Sequence, residues 1–330
     1  MTIISIEVNA NFHTIGGTNI LVKNDPVFME YRQKWKEWPE NFITGSFPLH
    51  LDIEASSACN LRCEFCEATI SKIGTKSGYM EFDIYKKIID EGSKSGLYAI
   101  KLNSGSRGEP LLNKNIVKMV EYAKKKGIID VYMNTNAVML TKELGNELIE
   151  AGLDRISISF EGMSASVYEK YRVGAKFEKV RKNILDFVEM RNILKSDIPK
   201  IRIQTVGVSE ILQDISTYTD YWSNIVDEVA LIDSKDYRNV NKDLISDWSC
   251  PYLWQRMMVT WDGTISVCGF DYSNDHKLGN IKNTSITEAW NGKEMEDIRK
   301  LHREGMAHKV SICNGCPYRT TELLKKERLL

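Results

Sequence analysis

The feature that most constrains the fold is a regular alternation of strand and helix patterns between residues 49 and 233. Short apolar or alternating runs are each followed by a longer segment whose apolar residues recur three and four positions apart. The six predicted strands are residues 49–55, residues 98–104 and the runs that begin at Asp130, Arg155, Lys200 and Glu228. This order predicts an α/β fold with a parallel sheet, right-handed crossovers and chemistry at the C-terminal strand ends.

Composition restricts the class of protein. The 330 residues include 44 Lys and Arg against 45 Asp and Glu, a net charge of −1, so no basic excess indicates nucleic acid as a partner. The first residues lack a basic start followed by an apolar run, and no apolar stretch approaches a membrane span. We therefore expect a cytoplasmic protein with no membrane partner. In a reducing compartment, clustered cysteines bind metal more often than they form disulfides.

Three of the seven cysteines lie together in the segment ACNLRCEFCEA, which follows the first predicted strand. Cys59, Cys63 and Cys66 have the spacing Cys-x3-Cys-x2-Cys. A disulfide would leave one thiol over, and a structural zinc ion takes four ligands. A [4Fe–4S] cluster takes one thiolate per iron, so three local thiolates leave one iron open to a small molecule. Taken alone, the triad is also compatible with chance or with a fragment of a ferredoxin.

The triad resembles the signature of the radical S-adenosylmethionine (SAM) superfamily. The resemblance implies a partial TIM barrel, (β/α)6, in which the amino and carboxylate groups of SAM chelate the open iron. It also places Phe65 near the adenine of SAM. Gly108 and Glu109, followed by Pro110, resemble the Gly-Gly-Glu-Pro motif, whose backbone and carboxylate contact the SAM ammonium. Arg107 stands at the first glycine of that motif.

Three later residues fall at further motif positions of the same family. Asn136, in MNTNAV, matches a Thr-Asn-Gly in which Ala137 replaces the glycine. Ser159, in ISISFEG, matches a Ser-x-Asp-Gly near the SAM carboxylate or ribose, with Glu161 in place of the aspartate. The resemblance makes Arg172 the partner of the SAM carboxylate, because a guanidinium binds a carboxylate through two parallel hydrogen bonds. The resemblance covers about residues 49–233.

The remaining cysteines are Cys250, Cys268, Cys313 and Cys316. Four thiolates can form a closed structural zinc site, although zinc ribbons usually have two Cys-x2-Cys pairs and this chain has one. The segment VTWDGTISVCGF predicts a β-hairpin that turns at residues 262–263 and delivers Cys268. With the helix expected around Trp290, this region resembles an auxiliary-cluster (SPASM) domain in its shortened "twitch" form, with one extra [4Fe–4S] cluster. We therefore expect an extension at 1–47, a barrel at 48–240 and an auxiliary domain at 241–330.

Three plus four ligands use all seven cysteines. A fully ligated auxiliary cluster suits outer-sphere electron transfer, and no thiol is left to return a hydrogen atom to a substrate radical. The pattern favours a radical SAM oxidoreductase in which a 5′-deoxyadenosyl radical abstracts hydrogen from a carbon that bears a hydroxyl, a base takes the O–H proton, and the auxiliary cluster accepts the electron. The cysteine spacing resembles that of family members that oxidise a secondary alcohol on an aminocyclitol. An external one-electron donor, such as flavodoxin or ferredoxin, is implied.

Candidate substrate contacts are polar residues at strand ends or beside the cysteines: Glu54, Asn103, Gln204, Asp233, Arg238, Asp271 and Tyr272. Arg238 and Asp271 are the predicted substrate contact or base. The alternative for each residue is an ordinary solvated loop position or a hydrogen bond at the barrel mouth.

The N-terminal segment bears on the substrate class. Residues 3–10 and 18–25 are expected to pair as a hairpin, followed by one helix with Asp25 as N-cap and Pro26 at N1. With fewer than 50 residues before the first strand, we expect no leader-binding module of the kind that peptide-modifying relatives carry. A small sugar or aminocyclitol is therefore the preferred substrate. A peptide-modifying enzyme and a non-catalytic carrier with two clusters are the alternatives.

Overall fold

The computed structural model describes residues 12–21, 23–70, 77–103, 107–233, 248–271 and 275–328. The strands are β1 (Phe12–Gly17), β2 (His50–Ile53), β3 (Ala99–Lys101), β4 (Asp130–Thr135), β5 (Arg155–Ser159), β6 (Lys200–Gly207), β7 (Glu228–Asp233), β8 (Arg256–Val259), β9 (Thr264–Ser266) and β10 (Lys277–Asn280). The helices are α1 (Pro26–Glu40), α2 (Glu67–Ile70), α3 (Phe82–Ser95), α4 (Ile116–Lys125), α5 (Lys142–Glu150), α6 (Ala165–Tyr171), α7 (Phe177–Ile193), α8 (Ser209–Leu212), α9 (Ile215–Ser223), α10 (Tyr252–Gln255), α11 (Ile286–Trp290), α12 (Lys293–Arg303) and α13 (Pro317–Arg328). Among these, no helix is long and apolar enough to cross a membrane.

The described strands form one open sheet in the order β1-β7-β6-β5-β4-β3-β2-β8-β9-β10. Strands β2 to β7 are parallel and neighbour one another in chain order, which confirms the six predicted strands and the partial barrel. A further parallel strand, β8, pairs with the free side of β2. It continues antiparallel into β9 and β10, so the predicted hairpin at residues 262–263 is confirmed. The hairpin extends the barrel sheet, and the cysteine-rich region is therefore joined to the barrel by backbone hydrogen bonds.

Side chains alternate along the parallel strands between an apolar face under the helices and a polar face inside the barrel. In β6, Ile201 and Ile203 belong to the main core, whereas Arg202 and Gln204 face the interior cavity. The interior residues of β2 to β5 and β8 are Asp52, Lys101, Tyr132, Asn134, Arg155, Ser159 and Arg256. A barrel centre filled with packed aliphatic layers would exclude ligands, whereas this polar centre leaves room for them.

Helix α1 lies against the N-terminal end of the barrel. Its start is confirmed, because the Asp25 carboxylate accepts from the Phe28 N–H at 2.9 Å and proline occupies the first turn. Tyr31 and Trp35 of this helix contact His50, the first residue of β2. The helix therefore closes the end of the barrel opposite the cysteine triad.

The predicted N-terminal hairpin differs from the structure. Its second arm, residues 18–25, contains no strand among its described residues, and its first arm lies outside the described residues. Strand β1 instead pairs antiparallel with β7, with Phe12 opposite Ile232. The edge of the parallel sheet presents unpaired backbone groups that β1 satisfies, and the local pattern does not reveal such a distant pairing.

Candidate active site

A cavity of about 700 Å³ reaches from α1 to the loop that carries the cysteine triad. Cys59, Cys63 and Cys66 all line it. The loop follows β2, at the C-terminal edge of the sheet where chemistry was expected. Burial raises the pKa of the Cys59 thiol to about 11 and also raises the pKa of Cys63. These thiols are therefore protonated at neutral pH until a metal binds them as thiolates.

Gly108 allows two loops to approach closely beside the triad. Its φ of +75° lies in the left-handed region, and a Cβ at this position would lie 1.7 Å from the backbone oxygen of Ser56. The N–H of Glu109 donates to the backbone oxygen of Ala58 at 2.8 Å. The Gly-Glu-Pro segment thus fixes the start of the cysteine loop.

The Glu109 carboxylate, 2% exposed, ties this segment to the end of β4. Its Oε1 accepts from the Thr135 hydroxyl at 2.6 Å and the Leu111 N–H at 3.1 Å, and its Oε2 accepts from the Asn136 N–H at 2.8 Å. Burial outweighs these bonds and raises the pKa of Glu109. A buried carboxylate on a cavity wall gains most from a cationic ligand, which is the role that the resemblance implies.

Arg107, at the family's first glycine, is accommodated by Glu54. The guanidinium Nε lies 3.3 Å from Glu54 Oε1, and both side chains are buried. Glu54 Oε2 also accepts from the Trp261 N–H at 3.2 Å. Arg107 lines the cavity, and Glu54 supports it from behind.

Phe65, Asn136 and Ser159 line the same cavity, as their predicted roles require. Asn136 donates from Nδ2 to Asn60 Oδ1 at 2.9 Å, within the cysteine loop. Ser159 accepts from Gln204 Nε2 at 3.3 Å. The ends of β4 and β5 therefore contribute polar groups to the cavity that Phe65 of the cysteine loop also lines.

Arg172 lines the cavity but already holds a carboxylate. Its Nε and Nη2 both donate to the fully buried Glu161, the second at 2.7 Å. Its Nη1 donates to Cys63 Sγ at 3.5 Å. Glu161 therefore accepts the two parallel hydrogen bonds that the resemblance assigns to the SAM carboxylate. The Nη1 of Arg172 faces the triad.

The other four thiols line a second, smaller cavity formed by Cys250, Cys268, Cys313 and Cys316. Burial raises the pKa of Cys268 to about 12 and raises the pKa of Cys250 and Cys313 as well. Four half-buried thiols around one cavity suit a cluster, in which each thiolate binds a different iron.

His302 belongs to this second cavity, although its spacing in the sequence gave no metal signal. Its Nδ1 accepts from the Cys250 N–H at 3.1 Å, so its Nε2 carries the proton and faces Cys313 Sγ at 3.4 Å. Burial lowers the pKa of His302 to about 4, which keeps the ring neutral. The residue is therefore a fixed hydrogen-bond donor to a cysteine sulfur.

Two aromatic residues form a common wall between the cavities. Tyr252 and Phe270 line both of them. Tyr252 stacks on Tyr318 with ring centroids 4.9 Å apart, and Phe270 lies parallel to Tyr318 at 6.3 Å. An aromatic layer is thus shared by the two groups of cysteines.

The predicted substrate contacts that line the large cavity are Asn103, Gln204 and Asp233. Asp271 does not line it, because this residue is 1% exposed and its carboxylate accepts from the Ser266 hydroxyl and from two backbone N–H groups of its own loop. Asp271 therefore organises the loop after the hairpin and is not placed to act as the base. Arg238 and Tyr272 lie outside the described residues.

Sequence reasoning missed the charged barrel interior. Three arginines pair there with carboxylates of neighbouring strands: Arg155 with Asp130 at 2.6 Å, Arg202 with Glu228 at 2.6 Å and Arg256 with Asp52 at 3.3 Å. The signal was present as polar residues at every second position of the predicted strands. Recognising it required knowing which strand face points inward.

Comparison with known families agrees with this geometry. Residues 53–214 match the radical SAM superfamily, and residues 250–317 match the SPASM iron–sulfur cluster-binding domain. The chain belongs to the radical SAM superfamily. Within it, the chain carries a C-terminal SPASM domain, and its cofactors are a SAM-binding [4Fe–4S] cluster, SAM and an auxiliary cluster.

Individual relatives differ in what they do. The chain is 32% identical over 135 residues to a probable GTP 3′,8-cyclase of Methanococcus maripaludis, a match that spans only 43% of that relative. It is 26% identical over 264 residues, 72% of the relative, to a tungsten-containing aldehyde ferredoxin oxidoreductase cofactor-modifying protein of Pyrococcus furiosus.

Solved structures with the same fold include BtrN in complex with AdoMet and 2-DOIA, at a TM-score of 0.55, 19% identity and coverage of 82% of this chain and 93% of that chain. Another is anSMEcpe with bound AdoMet, at a TM-score of 0.60, 18% identity and coverage of 77% and 83%. At these identities the likeness concerns the fold alone.

Proposed function

We propose that this protein is a radical SAM dehydrogenase that removes two electrons from a secondary alcohol on a small polar substrate, such as a sugar or an aminocyclitol. The observation that carries the proposal is the common wall of Tyr252 and Phe270 between the cavity of the triad and that of the other four cysteines. When bound, SAM and the first cluster supply hydrogen-atom abstraction, and the auxiliary cluster accepts the remaining electron. An acceptor must lie close to the substrate, and the shared aromatic layer provides that proximity.

Cysteine usage supports oxidation as the outcome. All seven cysteines line one cavity or the other. None is left to return a hydrogen atom to the substrate, as an epimerase with a cysteine donor requires. In the proposed reaction the substrate loses a hydrogen atom, a proton and an electron, and its C–O single bond becomes a C=O double bond.

The proton needs a base, and Asp233 is the carboxylate best placed to be that base. Among the residues that the structure describes, three carboxylates line the large cavity: Asp52, Glu109 and Asp233. Asp52 pairs with Arg256, and both oxygens of Glu109 hold loop donors. Asp233 ends β7 at the C-terminal edge of the sheet, and His13 approaches its Oδ1 at 2.9 Å. An exposed imidazole beside the carboxylate can hold it in orientation and pass a proton onward to solvent.

The test uses enzyme reconstituted anaerobically with iron and sulfide, a flavodoxin or ferredoxin as reductant, and a panel of sugars and cyclitols that includes amino, neutral, carboxylated and phosphorylated members. We expect 5′-deoxyadenosine and a ketone in equal amounts, with about eight irons per chain for two cubane clusters. Formation of 5′-deoxyadenosine alone distinguishes an enzyme from an electron carrier. A crosslinked or epimerised peptide as the product would instead favour the peptide-modifying alternative.

Cys268→Ala tests the acceptor role directly. The variant should still cleave SAM but form no ketone. Val267→Ala is the matched control, because Val267 is buried in the wall of the same cavity and cannot be a ligand of the cluster. Ketone formation by Cys268→Ala at the rate of the control would contradict the proposal.

A further inference from the structure

Arg32 of α1 is an exception among the cationic groups of the cavity. It lines the cavity and is only 4% exposed. Its Nε and Nη2 have no hydrogen-bond partner, and no carboxylate pairs with it in the part of the chain that the structure describes. Its neighbours are the rings of Tyr31 and Trp35, whose centroids lie 5.4 and 5.1 Å from the guanidinium carbon.

A guanidinium buried without a counter-charge is costly, and ring contacts return only part of that cost. Elsewhere in the same cavity the chain avoids the cost, because each of the interior arginines of β5, β6 and β8 meets a carboxylate. An unpaired buried cation that faces a cavity is therefore stabilised by an anionic ligand that enters the cavity. For a planar guanidinium the best match is an oxyanion that accepts two parallel hydrogen bonds.

Most of the other cations that line the cavity are balanced by carboxylates. These cations are Arg62, Lys101, Arg107, Arg155, Arg172, Arg202 and Arg256. Five of them pair with a carboxylate: Arg107, Arg155, Arg172, Arg202 and Arg256. Arg32 pairs with no carboxylate of the described residues, so its positive charge favours an anion in this part of the cavity.

We propose that Arg32 binds an anionic group of the substrate, a carboxylate or a phosphate, at the floor of the cavity. The identification of the bound molecule as substrate rests on the proposed function, whereas the anion site rests on Arg32 itself. Helix α1 meets the N-terminal end of β2, and the triad follows the C-terminal end of the same strand. An anion at the floor therefore directs the uncharged end of the substrate toward the triad, and binding energy remote from the reacting carbon orients it.

The probes are inorganic phosphate and, separately, acetate, added to the reconstituted enzyme with SAM and without turnover. Binding is followed by calorimetry and by the melting temperature. We expect wild type to bind one of the two probes, and Arg32→Met to bind it at least tenfold more weakly. Lys36→Met is the matched control, because it removes a cation from an exposed position of the same helix and should bind as wild type does. The probe that binds more tightly distinguishes phosphate from carboxylate.

A purely structural role for Arg32 makes the opposite prediction for stability. If Arg32 is an anion-binding residue, Arg32→Met without probe should melt at or above the wild-type temperature, since the substitution removes an unpaired buried charge. Arg32→Lys keeps the charge but loses the planar fork, and it should bind the probe more weakly than wild type even if the methionine variant fails to fold. Absence of probe binding by wild type, or equal binding by wild type and the folded Arg32 variants, would overturn the proposal. Because no turnover is involved, these results stand apart from any failure to find alcohol oxidation.

Discussion

Replacement of Glu109 by glutamine tests whether this carboxylate holds the SAM-site loops together. Glutamine has the same shape but exchanges one acceptor oxygen for an NH2 donor. Oε1 of Glu109 faces the Leu111 N–H and the Thr135 hydroxyl, and Oε2 faces the Asn136 N–H. In either orientation of the amide, one backbone N–H therefore faces a donor and loses its acceptor.

The expected loss follows from these contacts. A hydrogen bond to a charged group contributes about 1.5–3 kcal/mol, and an unsatisfied buried donor costs about 1–3 kcal/mol. Removal of a buried charge whose pKa is raised by desolvation offsets part of this sum. We expect a net destabilisation of about 2 kcal/mol, which for a chain of this size corresponds to a melting temperature lower by about 3 °C.

The assay is thermal unfolding by circular dichroism before cluster reconstitution, so that metal loss does not contribute. Glu150→Gln is the control, because Glu150 is exposed at the end of α5 and its substitution should change stability by no more than about 0.5 kcal/mol. Hydrogen exchange should also accelerate at Leu111 and Asn136 in the Glu109 variant. If that variant melts within about 1 °C of the control and exchanges as wild type does, the carboxylate does not tie the loops and the reasoning is refuted.

Three further predictions concern other parts of the chain. Ala137 has a φ of +56°, so Ala137→Gly relieves left-handed strain and should change the free energy of unfolding little. Ala123→Gly, buried within α4, should instead lower the free energy of urea unfolding by about 2 kcal/mol. Equal losses in the two variants would contradict this prediction. Burial lowers the pKa of His50 below 6.5, so its neutral ring contributes stability above that pH that is lost as the pH falls, and His50→Gln should lose less stability than wild type between pH 7 and 5. A matching pH profile would show that His50 does not titrate on unfolding. His302→Phe removes a hydrogen-bond donor to Cys313. Because hydrogen bonds to sulfur stabilise the reduced cluster, the variant should lower the reduction potential of the auxiliary cluster by on the order of 50 mV in an EPR-monitored titration. An unchanged potential would exclude this role.

Much of the site was predictable because its signals are local. The triad lies within eight residues, and the six barrel strands are recognisable from the spacing of apolar residues over short windows. Once the strands are ordered, parallel packing brings their C-terminal ends to one edge, and Glu109, Asn136 and Ser159 line the same cavity as the triad. The hydrophobic pattern therefore determined which residues share the cavity.

Pairings between distant charged residues depended on the tertiary structure. Glu161 is 11 positions from Arg172, and only their side-chain geometry shows that it occupies the guanidinium. Asp271 had the chemistry of a base, but the fold turns its carboxylate into its own loop.

The sequence by itself determined the family signature, the order of the strands and the two sets of cysteines, because each is encoded by neighbouring residues or by a short period. The tertiary structure alone decided that β1 completes the edge of β7, that β8 joins β2, and that Tyr252 and Phe270 separate the two cavities. It also decided that Arg32 faces a cavity with no carboxylate of the described residues paired to it. The physical reason is that burial and pairing are properties of the space around a side chain, which is filled by residues far away along the chain.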